Sequence, residues 1–129
     1  MTVYIDTSAA AKLIVEEAES EALARYLDAL EPERGPFSSA LLETELRRMA
    51  LRLDLPQSAV TDLLARVALV EPQRSLFHEA GLLPGLTLRS LDALHVATAV
   101  RLDGAVVVAY DVRLIAAARA VGLDVASPG

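Results

Sequence analysis

Four acidic residues of this 129-residue chain have the types and the spacing that a metal-dependent active site requires. They are Asp6, Glu45, Asp92 and Asp111. Asp6 directly follows the apolar run 3–5, and Asp111 directly follows the run 106–110. Carboxylates that are forced together repel and raise one another's pKa unless a cation joins them, and their hard oxygen atoms suit Mg²⁺ or Mn²⁺. The pattern therefore predicts a metal-dependent enzyme.

Three of the four acids also have a purely structural explanation. Asp6 and Asp111 each precede a helical pattern, and aspartate is a favoured N-cap. Asp92 lies near the start of a helical pattern, where a negative charge interacts favourably with the helix dipole. His95, one helical turn after Asp92, is either a metal ligand or base, or a packed core residue with a satisfied hydrogen bond. The sequence leaves these alternatives open.

Glu45 is the acid that a structural role explains least well. On the helix predicted for 40–53 it falls inside the apolar stripe, which consists of Leu41, Leu42, Leu46, Met49 and Leu53. A carboxylate on a buried helix face needs a partner, because an unpaired buried charge is very costly. That partner is either a metal ion or the guanidinium group of Arg48 or Arg52, and we favour the metal.

The predicted elements alternate between strands and helices along the chain. Strands are predicted at 2–5, near 37, at 68–70, 105–109 and 123–125. Helices are predicted at 8–16, 19–29, 40–53, 57–67, 73–80, 90–102 and 112–121. The alternation predicts an α/β fold with a mostly parallel sheet covered on both faces. The junctions that carry Asp6 and Asp111 would then lie at the carboxyl edge of the sheet, where such folds place their sites.

Length and composition favour a single globular domain over residues 1–129. The chain has no cysteine, which excludes disulfides and thiolate metal sites and favours a reducing, cytoplasmic setting. We expect no signal peptide, because the first residues contain neither a basic stretch nor a long apolar region. Charges also interrupt every apolar segment before it could span a bilayer, so no membrane association is expected.

The net charge of −6 is concentrated in one segment. Residues 16–33 contain seven acids and one base, so the rest of the chain has eleven acids and eleven bases. Eleven of the twelve basic residues are arginine, whose guanidinium group suits bidentate contacts with phosphate. The distribution of charge therefore permits an anionic substrate without requiring one.

Four segments, in order and at matching spacing, resemble the PIN-domain ribonucleases, and most closely the VapC-type toxins of bacterial toxin–antitoxin pairs. These segments are 3–8, 38–46, 91–99 and 107–114. The similarity covers essentially the whole chain, including its length and residues 122–129. The sequence departs from the family at Ala109, two places before the last acid, where many relatives have threonine or serine.

The resemblance implies a three-layer α/β/α sandwich with a mostly parallel sheet, and a homodimer. It also implies that the substrate is RNA and that an antitoxin protein blocks the cleft. By resemblance, Asp6, Glu45 and Asp92 hold the principal Mg²⁺ or Mn²⁺ ion, and Asp111 completes the site directly or through water. All four would then be catalytic, because metal-bound water becomes a usable nucleophile near neutral pH and the cation stabilises charge at phosphorus.

Two other functions compete with a metal-dependent ribonuclease. A non-catalytic PIN-like module that binds RNA or protein would keep the fold without the chemistry. An aspartyl phosphotransfer domain would use Asp6 as its nucleophile, but a phosphatase of the haloacid-dehalogenase type needs a second acid where Ser8 stands. A receiver-like domain needs an early acidic pair and a lysine after a late strand, and both are missing. We therefore favour the ribonuclease.

Apolar residues on the first helices suggest where an antitoxin would bind. They are Leu13, Ile14, Leu23, Tyr26 and Leu27. Together with helix 40–53 they predict a groove that takes an antitoxin helix, which could then place an arginine or lysine over the acidic cleft. The alternative is that these residues all pack inward and that the exposed apolar surface is a homodimer seam.

Overall fold

A five-stranded sheet forms the centre of the fold, and the computed structural model describes residues 1–129. The strands are Val3–Ile5 (β1), Phe37–Ser39 (β2), Ala68–Val70 (β3), Val106–Val108 (β4) and Asp124–Ala126 (β5). Their order is β3-β2-β1-β4-β5, and every neighbouring pair is parallel. The prediction of a mostly parallel sheet is confirmed, and the sheet is in fact entirely parallel.

Seven α-helices connect these strands. They are Thr7–Ala11 (α1), Ser20–Asp28 (α2), Leu41–Arg52 (α3), Gln57–Leu64 (α4), Arg74–Gly81 (α5), Ser90–Arg101 (α6) and Val112–Ala120 (α7). A short 3₁₀ turn spans Pro32–Arg34. No helix is both long enough and apolar enough to cross a membrane.

The helices cover the two faces of the sheet, because successive side chains of a strand point to opposite sides. Val3 and Ile5 of β1 pack with buried residues of α1, α2, α3 and α4 in one cluster. Tyr4 of the same strand packs on the other face with buried residues of α6 and α7. Helix α5 packs against α6 in a third, smaller cluster. The three-layer α/β/α arrangement implied by the sequence resemblance is therefore confirmed.

Helix α1 is shorter than the predicted helix 8–16, because it ends at Ala11. The hydroxyl of Ser20 donates to the carbonyl of Lys12 at 2.7 Å, a carbonyl that a longer helix would have paired internally. The Lys12 ammonium group then pairs with Glu17 and lies 4.8 Å from the centre of the Tyr110 ring. Side-chain contacts distant from α1 therefore set where it ends.

The order of the strands places a topological switch point between β1 and β4. From the central strand β1 the chain moves outwards through β2 to β3, and it then returns to the other side of β1 to form β4. Ligand sites of open parallel sheets lie outside the carboxyl ends of the strands at such a point. Asp6 follows β1 and Asp111 lies three residues after the end of β4, so both are at this position.

Candidate functional site

Asp6 is a buried carboxylate that caps helix α1, with only 3% of its surface exposed. The amide of Ala9 donates to its Oδ1 atom at 3.0 Å, and the hydroxyl of Ser8 lies 2.8 Å from each carboxylate oxygen. Burial raises the pKa of Asp6, and the hydrogen bonds from Ala9 and Ser8 oppose this shift. The N-cap role is confirmed, and it fixes the position of the carboxylate at the end of β1.

Ser8 also connects Asp6 to the neighbouring strand. Its hydroxyl accepts a hydrogen bond from the amide of Tyr110 at 3.0 Å, directly beyond β4. Ala109, where many relatives have a hydroxyl, is fully buried in the apolar cluster that contains Tyr4. Ser8 is thus the hydroxyl that this chain provides to the Asp6 carboxylate.

Glu45 projects from α3 with 19% of its side chain exposed. Its Oε1 atom lies 2.7 Å from Nε2 of His95. Neither Arg48 nor Arg52 forms an ion pair with it, so the predicted salt-bridge alternative is wrong; both arginines are exposed to solvent instead. The helical wheel correctly gave the inward direction of Glu45, and the partner that it meets there is a histidine.

His95 is a core residue that also reaches the site. Only 1% of it is exposed, and Nδ1 lies 2.6 Å from the hydroxyl oxygen of Tyr4. Nε2 contacts both Glu45 and the hydroxyl of Thr7, the latter at 3.2 Å. Both ring nitrogens are therefore engaged by protein groups, which favours the packed-residue interpretation of His95 over a role as a metal ligand.

Asp92 and Asp111 line one polar cavity of about 290 Å³ together with Arg89, Val112 and Arg113. Asp111 caps α7, and its Oδ1 atom accepts from the amides of Arg113 at 2.9 Å and Leu114 at 3.1 Å. The N-cap alternative is thus confirmed for this acid as well. Its Oδ2 atom makes no hydrogen bond within the protein.

Asp92 differs from the other acids because no protein group pairs with its carboxylate. It lies half-buried in the first turn of α6. Burial raises its pKa, and the negative charges of Asp111 and Glu45 raise the pKa further. Charges act in this way only over short distances. The pKa of Asp92 is therefore raised by the charges of two of the other acids, Asp111 and Glu45.

The carboxylates of the four acids supply the hard oxygen ligands that a divalent cation such as Mg²⁺ prefers. None of the four acids forms an ion pair with lysine or arginine, and burial and repulsion penalise the charge of Asp6 and Asp92. No three acidic or histidine side chains stand close enough together to coordinate one ion directly. Mg²⁺ usually keeps several waters and binds through one or two carboxylates. The residues therefore fit a hydrated divalent ion, and their joint role as ligands stays a prediction.

Sequence reasoning missed several groups around these acids. Arg89 lies one helical turn before Asp92, and Arg113 lies two residues after Asp111, so their spacing could have identified them. Tyr4 offered no such signal, because it appears as one more apolar strand residue and its partner His95 is 91 positions away. The contact exists only after β1 and α6 have packed together.

Comparison with known proteins gives a consistent result. The model of the PIN domain matches residues 3–120. Ribonuclease VapC35 of Mycobacterium tuberculosis is 43% identical over 134 residues, and Ribonuclease VapC46 of the same species is 39% identical over 129 residues. Ribonuclease VapC47, also from that species, is 36% identical over 135 residues. Each alignment covers 98% of this chain and 97% of the relative. The chain therefore belongs to the PIN-domain family, as a member of the VapC type.

Proposed function

We propose that this protein is a metal-dependent ribonuclease that acts as the toxin of a toxin–antitoxin pair in the cytoplasm. Asp6, Glu45 and Asp92 hold the principal Mg²⁺ or Mn²⁺ ion, with a water molecule between the ion and at least one of these acids, and Asp111 completes the site directly or through water. The observation that carries this proposal is a set of carboxylates beside the β1–β4 switch point that form no ion pair with lysine or arginine. Nearly full-length similarity to proteins named as ribonucleases supports the reaction class.

The protein contributes to catalysis mainly by fixing these carboxylates in place. The Ala9 amide and the Ser8 hydroxyl hold Asp6, and backbone amides at the start of α7 hold Asp111. A divalent ion, when bound, would lower the pKa of a coordinated water and neutralise charge on the phosphate. Because Asp6 and Asp111 are already oriented, little reorganisation of these two groups is needed when the substrate arrives.

The first test of the proposal is metal removal. Purified protein should cleave a labelled RNA in Mg²⁺ or Mn²⁺, lose cleavage completely in excess EDTA, and recover it when metal is restored, because water of ordinary pKa is a poor nucleophile. Gel analysis of the products provides the measurement. RNA that is bound but left intact in every buffer would favour the non-catalytic binding module. Equal cleavage with and without EDTA would contradict the metal mechanism.

Two arginines of the cavity that contains Asp92 and Asp111 are candidates to bind the RNA backbone. Arg89 and Arg113 are exposed, form no ion pair, and line the cavity that contains Asp92 and Asp111. Guanidinium groups bind phosphate oxygens in a bidentate manner. We propose that these two side chains hold phosphates that flank the scissile bond and so place that bond over the carboxylates.

Arg113→Ala should weaken RNA binding by about 10–150-fold, because charge-assisted hydrogen bonds contribute about 1.5–3 kcal/mol. The slope of log Kd against log salt concentration should also decrease by about 0.7 for a single-stranded RNA, the value for one lost phosphate contact. Both quantities can be measured by fluorescence anisotropy in Mg²⁺, on an inactive Asp6→Asn background. Arg119→Ala, which removes an exposed arginine at the other end of the same helix, is the control. Equal effects of the two substitutions would contradict the proposed contact.

The apolar residues predicted to bind an antitoxin are mostly part of the core. Leu23 is fully buried, and the other four are half-buried against the cluster on that face. A groove of about 200 Å³ remains beside Leu13 and Leu27, and Leu63 and Val67 form part of its lining. We propose that an antitoxin helix places an apolar side chain in this groove and a basic side chain over the acids.

The proposed homodimer needs a different face. Exposed Phe77 lines a cavity of about 360 Å³ between α5 and the start of α6. Leu82, Leu86 and Leu91, which neighbour lining residues in the sequence, are exposed as well. Leu86 is completely exposed, which is unusual for a large apolar residue beside other apolar groups. We propose this surface as the dimer seam, so that the dimer and the antitoxin use separate faces.

A further inference from the structure

A chain of hydrogen bonds runs from the backbone of strand β2 to the carboxylate of Glu45. The amide of Ser39 donates to the hydroxyl oxygen of Tyr4 at 3.1 Å. That hydroxyl lies 2.6 Å from Nδ1 of His95, whose Nε2 atom lies 2.7 Å from Oε1 of Glu45. Three side chains, one each from β1, α6 and α3, are thus joined in series.

The hydrogen bond from the Ser39 amide to Tyr4 indicates which group donates in each of the other two hydrogen bonds. Since the Tyr4 oxygen accepts from Ser39, its own proton is available for Nδ1 of His95. Burial raises the pKa of Tyr4, so the phenol keeps that proton. In this arrangement Nδ1 accepts, Nε2 carries the ring hydrogen, and Nε2 donates to Glu45. The phenol of Tyr4 thus favours the tautomer of His95 whose N–H faces Glu45.

The part of the series formed by Tyr4 and His95 is also dry and tightly packed. Tyr4 is fully buried and His95 is 1% exposed, so solvent cannot replace either partner. The two rings meet edge to face at 70°, with their centroids 5.8 Å apart. Thr7 restrains the imidazole from the side of α1. A hydrogen bond that water cannot replace holds its acceptor in one geometry more firmly than an exposed one.

We propose that His95, oriented by Tyr4, is a positioning residue that fixes the carboxylate of Glu45 through Oε1 and leaves Oε2 free for the divalent ion. This inference rests on the proposed function and deepens it. In metal sites, groups that hydrogen-bond to a ligating side chain fix its orientation, and their loss typically weakens metal binding or activity by about 10–100-fold. A histidine that only fills the core would not have this effect.

Two substitutions of His95 distinguish the effect of its N–H donor from the effect of its side-chain volume. His95→Gln keeps an amide nitrogen near the position of Nε2 and an amide oxygen near that of Nδ1, so it can still accept from Tyr4 and donate to Glu45. His95→Leu fills similar space with no polar group. Tyr4→Phe keeps the ring in the core and removes only the hydroxyl that orients the imidazole.

The experiment measures Mn²⁺ binding to the full chain in the absence of RNA, by isothermal titration calorimetry, together with kcat/KM for RNA cleavage. His95→Leu should weaken Mn²⁺ binding about 10–100-fold, and Tyr4→Phe should weaken it less. His95→Gln should remain close to the wild-type value. Thermal melting of the metal-free proteins monitors folding, and the Tyr4→Phe and His95→Gln pair provides the test if His95→Leu does not fold.

The outcomes separate this inference from the proposed function. Wild-type affinity in both His95→Leu and Tyr4→Phe would overturn the positioning role while leaving the ribonuclease proposal intact. An equal loss in His95→Gln and His95→Leu would also overturn it, because the retained donor would then have no effect. A wild-type protein that binds no Mn²⁺ and cleaves RNA in EDTA would reject the proposed function itself.

Discussion

Replacing Asp92 with asparagine should lower ribonuclease activity by at least about 100-fold, more than the loss expected for a group that only supports a ligand. The folded protein should be no less stable, because the Asp92 carboxylate makes no ion pair within the protein while burial and the charges of Asp111 and Glu45 raise its pKa. The measurements are kcat/KM in Mg²⁺ and the melting temperature without metal. Asparagine keeps the shape of the side chain and removes only the charge.

The size of the stability effect depends on pH. A carboxyl group whose pKa is raised by folding favours the folded state when it is protonated, and this contribution is lost as the pH rises through the folded-state pKa. At neutral pH the charged Asp92 therefore destabilises the metal-free protein relative to Asp92→Asn. The difference in melting temperature should shrink as the pH falls towards about 4, near the ordinary pKa of aspartate. Added Mg²⁺ should stabilise the wild type and leave the variant unchanged.

Asp62→Asn is the matched control, because Asp62 is an exposed acid of α4 that forms no ion pair. It removes the same charge from the protein at a position outside the cavity lined by Asp92 and Asp111. Its activity and its response to Mg²⁺ should equal those of the wild type. An Asp92→Asn protein that retained activity within a few-fold of Asp62→Asn would contradict the role assigned to Asp92.

Co-expression with the product of a small reading frame just upstream should give a stable complex in which RNA cleavage is suppressed and host growth is restored. The physical reason is that no lysine or arginine of this chain forms an ion pair with the acids, so an arginine from the antitoxin can pair with them and compete with the metal. Co-purification, RNA cleavage by the complex and growth of the host are the three measurements. An upstream frame with a DNA-binding pattern and an amphipathic tail is the expected partner.

The placement of the groove can be tested in the same assay. Leu27→Asp adds a charge at the groove that Leu13, Leu63 and Val67 help to line, so it should weaken the complex. Because Leu27 also packs against the core, the melting temperature and the activity of the free variant must show that it is folded. Ala116→Asp, on an exposed position of α7, is the comparison and should leave the complex intact. A neighbour that neither co-purifies nor protects the host would remove the antitoxin claim and leave the ribonuclease claim standing.

Local pattern was enough to predict most of the fold. Alternating apolar runs and helical periodicity gave the five strands and seven helices, because each element shows its own period in the sequence. The ends of α1 and α4 were placed too late. Ser20, eight residues away, takes the Lys12 carbonyl, and buried Val67 lies outside α4, directly before β3. Such ends depend on tertiary contacts that periodicity does not contain.

The candidate site, too, was predicted from the sequence only in part. Asp6 and Asp111 were found from the strands that they follow, and Glu45 from its place on a helix face. The hydrogen bond between Glu45 and His95 was not found, because it joins residues 50 positions apart on separate helices. The helical wheel gives the direction in which Glu45 points but not what it meets. The four acids as joint metal ligands remain a prediction.

The position of β4 has a consequence for how this protein is synthesised. Ser8 and the Tyr110 amide, which join the two halves of the site, are 102 residues apart in the chain. Strand β4 pairs directly with β1, so the cleft cannot form before that late segment has left the ribosome. A partly translated chain therefore carries Asp6 and Glu45 without Asp111. The complete cleft can therefore form only after β4 and the start of α7 have been synthesised, however early β1 and α3 emerge.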